Sequence, residues 1–252
     1  MSSANGTPLT TMGTDSPERA SSPALSRRSS RADRHRAVPQ RGIASAAAAR
    51  LGFWSGMLAA GFSVVFSVAS VPVLLGAVGP PWDNVLTLLP SLLLAPALLV
   101  LLVCVHDAAP EHQRLWSRLG VTFGGLYAAL VSTVYVVQLT VVEPLIVRGE
   151  ADRAGLVTID PGGVLNAIDG LGYIFLCIAL VSLAPLFAGT RLQRWIRGFL
   201  LANGAAMLPI ALTYFVDRSF LLMAAPLWAV AMPAATLLLA LWFRLAGRSR
   251  TP

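Results

Sequence analysis

The sequence contains no lysine, only two cysteines and little charge of either sign, and each shortage excludes something. All nineteen basic residues are arginine. Beside abundant alanine, glycine and proline, this points to the codon usage of a GC-rich genome rather than to selection for guanidinium chemistry. Charged residues make up 12% of the chain, against the ~25% of an ordinary soluble domain, so lipid surroundings are expected. Cys104 and Cys177 both stand inside apolar runs, where a free thiol behaves as a small hydrophobe; neither a disulfide framework nor a metal motif is expected. His35, His106 and His112 all fall outside the predicted hydrocarbon core, so an intramembrane hydrolase would lack its usual base. Asp83, Glu143, Asp169 and Asp217 remain as carboxylates for such chemistry, all near one predicted surface. No G-x-S-x-G, H-E-x-x-H or phosphate-binding loop is present, and no acidic pair falls in adjacent runs. No catalytic residue, cofactor or metal is therefore assigned, and an enzyme is disfavoured.

The net charge of +7 is also lopsided, because eight arginines fall in the first fifty residues. A nucleic-acid partner inferred from isoelectric point alone would be a mistake. Residues 1–50 hold few large apolar side chains and cannot offset their ordering entropy by burial, so a disordered Arg/Ser-rich cytoplasmic tail is expected. The twin arginine in "SRRSSRADRHR" lacks the apolar residues that follow such a pair in an export signal, and the next apolar run is too long for one. The stretch reads as a retained, solvated tail with weak attraction to anionic lipid.

What the chain has in abundance is apolar length. It is 56% hydrophobic with mean hydropathy +0.69, and six runs, about 51–78, 85–106, 117–142, 167–189, 196–216 and 220–246, approach or exceed the ~20 residues needed to cross a bilayer core. Backbone groups in lipid must be satisfied within their own segment, which leaves helices as the only plausible spans. The expected fold is all-α, a six-helix transmembrane domain over 51–246 followed by a short basic cytoplasmic tail at 247–252. Connections are short except 143–166, which is too polar to cross and long enough for a small surface helix. With the N-terminus inside, twelve arginines flank the spans on the inner side and three (Arg148, Arg153 and Arg218) on the outer side. The positive-inside rule thus places both termini in the cytoplasm of a cell whose inner membrane holds the protein, as an even number of spans requires. Trp54, Trp82, Trp116, Trp195 and Trp242 fall near span ends, where an aromatic belt sits.

Within the spans, Gly52, Gly56, Ala60, Ser63, Ser67 and Ser70 form a stripe about 80° wide along the first helix. Such a stripe lets a neighbouring helix approach closely. Pro90 and Pro96 in the second run, and Asn203-Gly204 with Pro209 in the fifth, predict kinks. Matching interrupted helices in two inverted three-helix halves would point to a transporter, although the halves share no visible sequence similarity. Gly124, Tyr127, Tyr135 and Gln138 share one face of the third helix, and those polar groups need partners from other helices, water or a ligand. In "HDAAPEHQR", His106, Asp107, Glu111 and His112 match no metal-ligand spacing; Pro110 and Glu111 read as the first turn of the next helix.

The segment "NAIDGLGYIF" puts Asp169 at the mouth of the fourth run. Asn166 fits an N-cap and Asp169 the third helical position, where the positive helix end favours a carboxylate. A buried functional charge is the competing reading. In "WDNVLTLLPSLLLAPALLVLLVCVHDAAPEH", "YVVQLTVVEPLIVRGE" and "NAIDGLGYIFLCIALVSLAPLFAG" the chain resembles a group of uncharacterised multi-pass bacterial membrane proteins. That resemblance implies a six-helix membrane domain and carries no activity or site residues with it. The expected function is a non-enzymatic membrane domain that binds a small ligand, a lipid or a partner helix through Tyr127, Tyr135, Gln138, Asp169, Tyr173 and Asn203. A small secondary transporter with a midplane site is the alternative, and an intramembrane enzyme the third reading. The bilayer itself is the one partner implied throughout.

Overall fold

A computed structural model describes residues 46–216 and 223–248. Of the tails expected over 1–50 and 247–252, residues 1–45 and 249–252 lie outside these residues, as do Asp217 and Arg218, whereas 46–50 and 247–248 are helix. Among the described residues there is no strand, and six helices are long and apolar enough to cross a membrane. They are α1 (Ala46–Leu74), α2 (Trp82–Ala108), α3 (Arg114–Val137), α4 (Val164–Leu183), α5 (Arg191–Leu212) and α6 (Ala225–Arg248). The chain is an integral membrane protein of the multi-pass, all-α class.

Local chemistry explains where the helices start and stop. Thr190 caps α5 by accepting from the Gln193 amide at 3.3 Å, while Gln193 Oε1 accepts from the Thr190 amide at 2.9 Å, a reciprocal capping box. Gly76, with φ 68°, ends α1 in the left-handed region that a side chain resists. The first helix begins earlier than its apolar run, because the alanines of 46–49 are strong helix formers.

The third span departs most from expectation. Its apolar run ends at 142, but the helix continues through a π-helical turn, Gln138–Val142, into a last α-helical turn, Glu143–Val147. Pro144 explains the irregularity. A proline has no N–H to give and crowds the carbonyl one turn back, and a wider turn accommodates both defects. The Glu143 amide reaches the Gln138 carbonyl across it. The predicted loop at 143 is therefore helix, and Glu143 belongs to the span. Beyond it the connection holds a short 3-10 turn, Ala151–Ala154.

Packing follows a single circuit. Each helix lies against its sequence neighbours, and α1 closes on α6, so the six form a ring in chain order. That order is not the order of inverted halves. A two-fold axis in the membrane plane would carry each helix to the one three places on while reversing the direction of circulation; a ring in chain order preserves that direction. Prolines are likewise not confined to α2 and α5, since Pro72 lies within α1 and Pro233 within α6, and all four helices run on through them.

Small residues make the circuit tight. A Cβ on Gly52 would stand 2.6 Å from the Phe243 ring, and one on Gly56 would stand 2.9 Å from Ala240 Cβ, so the stripe on α1 is where α6 lies. Ala60 and Ser63 are buried on the same side. Ser63, Ser67 and Ser70 each turn their hydroxyl onto the carbonyl four residues back, which satisfies the donor without a partner helix. Between other neighbouring helices, Gly120 receives Leu183, Gly124 receives Leu102, and Gly204 receives Val181. Apolar side chains elsewhere face outward, Leu74, Leu75 and Val68 among them, as a lipid-facing surface requires. Trp54, Trp82, Trp116 and Trp195 are exposed near helix ends, whereas Trp242 turns inward and packs edge-on against Phe187.

The helix ends carrying Arg50, Arg114, Arg118, Arg191, Arg194, Arg197 and Arg244 define an arginine-rich end of the bundle. The opposite, arginine-poor end carries the 75–81 and 148–163 connections and residues 213–216.

Candidate functional site

The site grows from the way α4 begins. Gly163, in extended conformation, is its N-cap residue, and the loop before it folds over the first turn. The Val164 amide donates to the Leu156 carbonyl at 2.8 Å and the Asn166 amide to the Thr158 carbonyl at 3.2 Å. Those contacts satisfy first-turn donors that a capping side chain would otherwise take. Asn166 is therefore not the N-cap. It is the third residue of the helix, and its side-chain amide donates to the Tyr214 carbonyl at 3.2 Å.

Asp169 is correspondingly not a helix-start carboxylate. It is the sixth residue of α4 and only 1% exposed. The two glycines after it let neighbours close around it. A Cβ on Gly170 would stand 2.5 Å from Tyr214 Cβ, and one on Gly172 would stand 2.8 Å from Val131 of α3. Gly170 admits the 213–216 turn and Gly172 admits α3.

These two approaches gather every tyrosine in the chain. Tyr127 and Tyr135 come from α3, Tyr173 from α4, and Tyr214 from the turn after α5. The Tyr135 and Tyr173 hydroxyls are hydrogen-bonded at 2.5 Å. The Tyr173 ring lies 6.1 Å from that of Tyr127 and 5.8 Å from that of Tyr214, centroid to centroid. The Tyr214 and Tyr135 phenols are directed at Asp169, but its Oδ1 has no hydrogen-bond partner. Burial, and next the Asp169 charge, hold the Tyr214 phenol well above its usual range, so it remains an O–H donor. Among the described residues no arginine or histidine pairs with Asp169, and both ion pairs, Glu111–Arg114 and Glu150–Arg153, are exposed.

A second buried carboxylate stands on the same span. Glu143 is 3% exposed, with Oε1 accepting from Asn84 Nδ2 at 2.6 Å and from Gln138 Nε2 at 3.0 Å. Its Oε2 and the Gln138 Oε1 have no partner.

Of the six side chains singled out in the sequence, Tyr127, Tyr135, Asp169 and Tyr173 are brought together. Gln138 is not with them; the π turn directs its amide to Glu143. Asn203 stands apart, its amide donating to the Phe199 carbonyl one turn back at 2.8 Å, with Oδ1 unpartnered. Sequence reasoning missed Tyr214 and Asn166 as members of the site and Glu143 as a buried group. A Glu-Pro pair followed by more apolar residues was the available signal for Glu143, since "VVEPLIV" continues the run beyond its acid.

Elsewhere, His106 Nδ1 is hydrogen-bonded to Ser117 Oγ at 2.8 Å, and no cluster of metal-ligating side chains occurs among the described residues. An apolar recess of about 780 Å³ lies between α1, the start of α2 and the start of α6, lined by Phe66, Ser70, Leu74, Thr87 and Trp228. No family model, no curated protein and no solved structure matches the chain, so the resemblance in sequence texture gains no family and no bacterial origin from comparison.

Proposed function

We propose that the protein is a non-enzymatic membrane domain that binds a small organic cation, an ammonium or alkylammonium group, at Asp169. The observation that carries this reading is a buried carboxylate with an unpartnered oxygen, no basic partner among the described residues, and all four tyrosines of the chain around it. A charge in such a place is costly unless it is paired. A cation with apolar substituents answers the carboxylate with charge and the ring faces with cation–π attraction, worth ~0.5–2 kcal/mol per ring. Tyr214 is the one member that no transmembrane helix carries, so displacement of the 213–216 turn is the entry step this reading requires. Among the described residues the hydrogen-bonding side chains around the carboxylate are phenols and an amide, which supports binding.

The test is a thermal-shift screen of the purified protein against amines of graded size, with neutral isosteres as controls, repeated on Asp169→Asn. An amine that stabilises the wild type and leaves the variant unchanged is the expected result. Equal shifts in both proteins would remove Asp169 from the site.

A further inference from the structure

We infer that Glu143, Gln138 and Asn84 form a separate binding site for a sodium ion at the arginine-poor end of the ring. Three features of the cluster lead there. First, Glu143 and Gln138 each present an unpartnered side-chain oxygen, Oε2 and Oε1, from residues 3% and 2% exposed. Both orphans are acceptors, and an acceptor without a donor is completed by a cation. Second, Asn84 Nδ2 and Gln138 Nε2 both donate to the same oxygen, Glu143 Oε1, rather than one to each. The two amides fix the carboxylate and leave Oε2 free. Third, the π turn Gln138–Val142 brings the amide and the acid, five residues apart, to face one another. Such turns recur at functional positions in helices.

The oxygen-only donor set selects a hard cation, and the formal charge selects its valence. One carboxylate with neutral amides carries a single negative charge, which a monovalent ion cancels and a divalent ion would leave overcharged in a desolvated place. No basic side chain among the described residues competes for Glu143. Beside the same turn of helix, a recess of about 370 Å³ is lined by Val142, Ile146, Asp152 and Asp160, and its two carboxylates raise the local concentration of cations.

The experiment uses the full chain in lipid nanodiscs, with unfolding temperature followed in sodium, potassium and caesium chloride at equal ionic strength and neutral pH. A saturable upward shift with sodium is expected in the wild type, lost in Glu143→Gln and weakened in Gln138→Leu, but retained in Asp169→Asn. Should Glu143→Gln fail to fold, Gln138→Leu and sodium NMR line broadening of the wild type carry the test. Equal unfolding temperatures in sodium and caesium would overturn the proposal. So would a sodium shift that survives Glu143→Gln, or one lost in Asp169→Asn alone. Acidification in caesium chloride that fully replaces sodium would overturn it too, by assigning Glu143 a proton instead.

Discussion

Asp169 shows how less than one helical turn decides a residue's role. Counted from Asn166, it falls in the first turn, where headgroups and the helix dipole would account for it. Counted from Gly163, it falls a turn deeper, among phenols. The loop carbonyls of Leu156 and Thr158, which accept from the Val164 and Asn166 amides, set the true start, and nothing in "NAIDGLGYIF" announces them. The tyrosines were more legible, because Tyr127 and Tyr135 share a face at helical spacing and Tyr173 follows Asp169 by one turn. Tyr214 was not, since its place depends on how α5 ends and on the absence of a side chain at Gly170. At this scale the account predicts that Tyr214→Phe keeps the ring and removes the donor aimed at Asp169. A hydrogen bond to a charged group is worth ~1.5–3 kcal/mol. The unfolding temperature should fall, and calorimetric titration should show amine binding weakened by roughly tenfold or more.

At the scale of elements, α1 and α3 teach opposite lessons. The small-residue stripe of α1 was readable because close helix approach in lipid needs small side chains, and the same chemistry meets α6 in the fold. The length of α3 was not readable, because Glu143 and Pro144 carry the ordinary marks of a loop, a charge and a proline. Burial of Glu143 against Asn84 of α2 is a tertiary fact. The glycines of α1 give a paired prediction. Gly56→Ala puts a methyl 2.9 Å from Ala240 Cβ and 3.1 Å from the Thr236 carbonyl, so overpacking of ~1–3 kcal/mol is expected. Gly61, five residues on, has nothing within 4 Å of an added Cβ, and Gly61→Ala should be neutral or stabilising by up to ~1 kcal/mol. Unfolding midpoints of the two variants in the same detergent check the pair; equal losses would mean that α1 does not meet α6 along this stripe.

Over the whole molecule, the number of spans followed from apolar length alone, whereas their circuit did not. Short connections make neighbours in sequence neighbours in space, but the closure of α1 on α6 needs the glycine contacts at Phe243 and Ala240. The ring also removes the geometric ground for inverted halves, which the paired prolines of α2 and α5 had offered. Orientation remains a matter of charge: arginines gather at one end and the two buried carboxylates lie toward the other. The only cysteines described, Cys104 and Cys177, are both buried, so a reporter thiol stands out from them. Arg153→Cys in intact cells should react with a membrane-impermeant maleimide and Gly189→Cys should not; the reverse pattern would invert the topology. The claim on which the rest hangs is that a cation sits among the tyrosines at Asp169. All four tyrosines surround that carboxylate, so the near-ultraviolet difference spectrum of the purified protein reports on it directly. Titration with the most stabilising amine should produce a saturable tyrosine signal in the wild type and none in Asp169→Asn. Saturable binding with no tyrosine signal, or an unchanged signal in the variant, would contradict it.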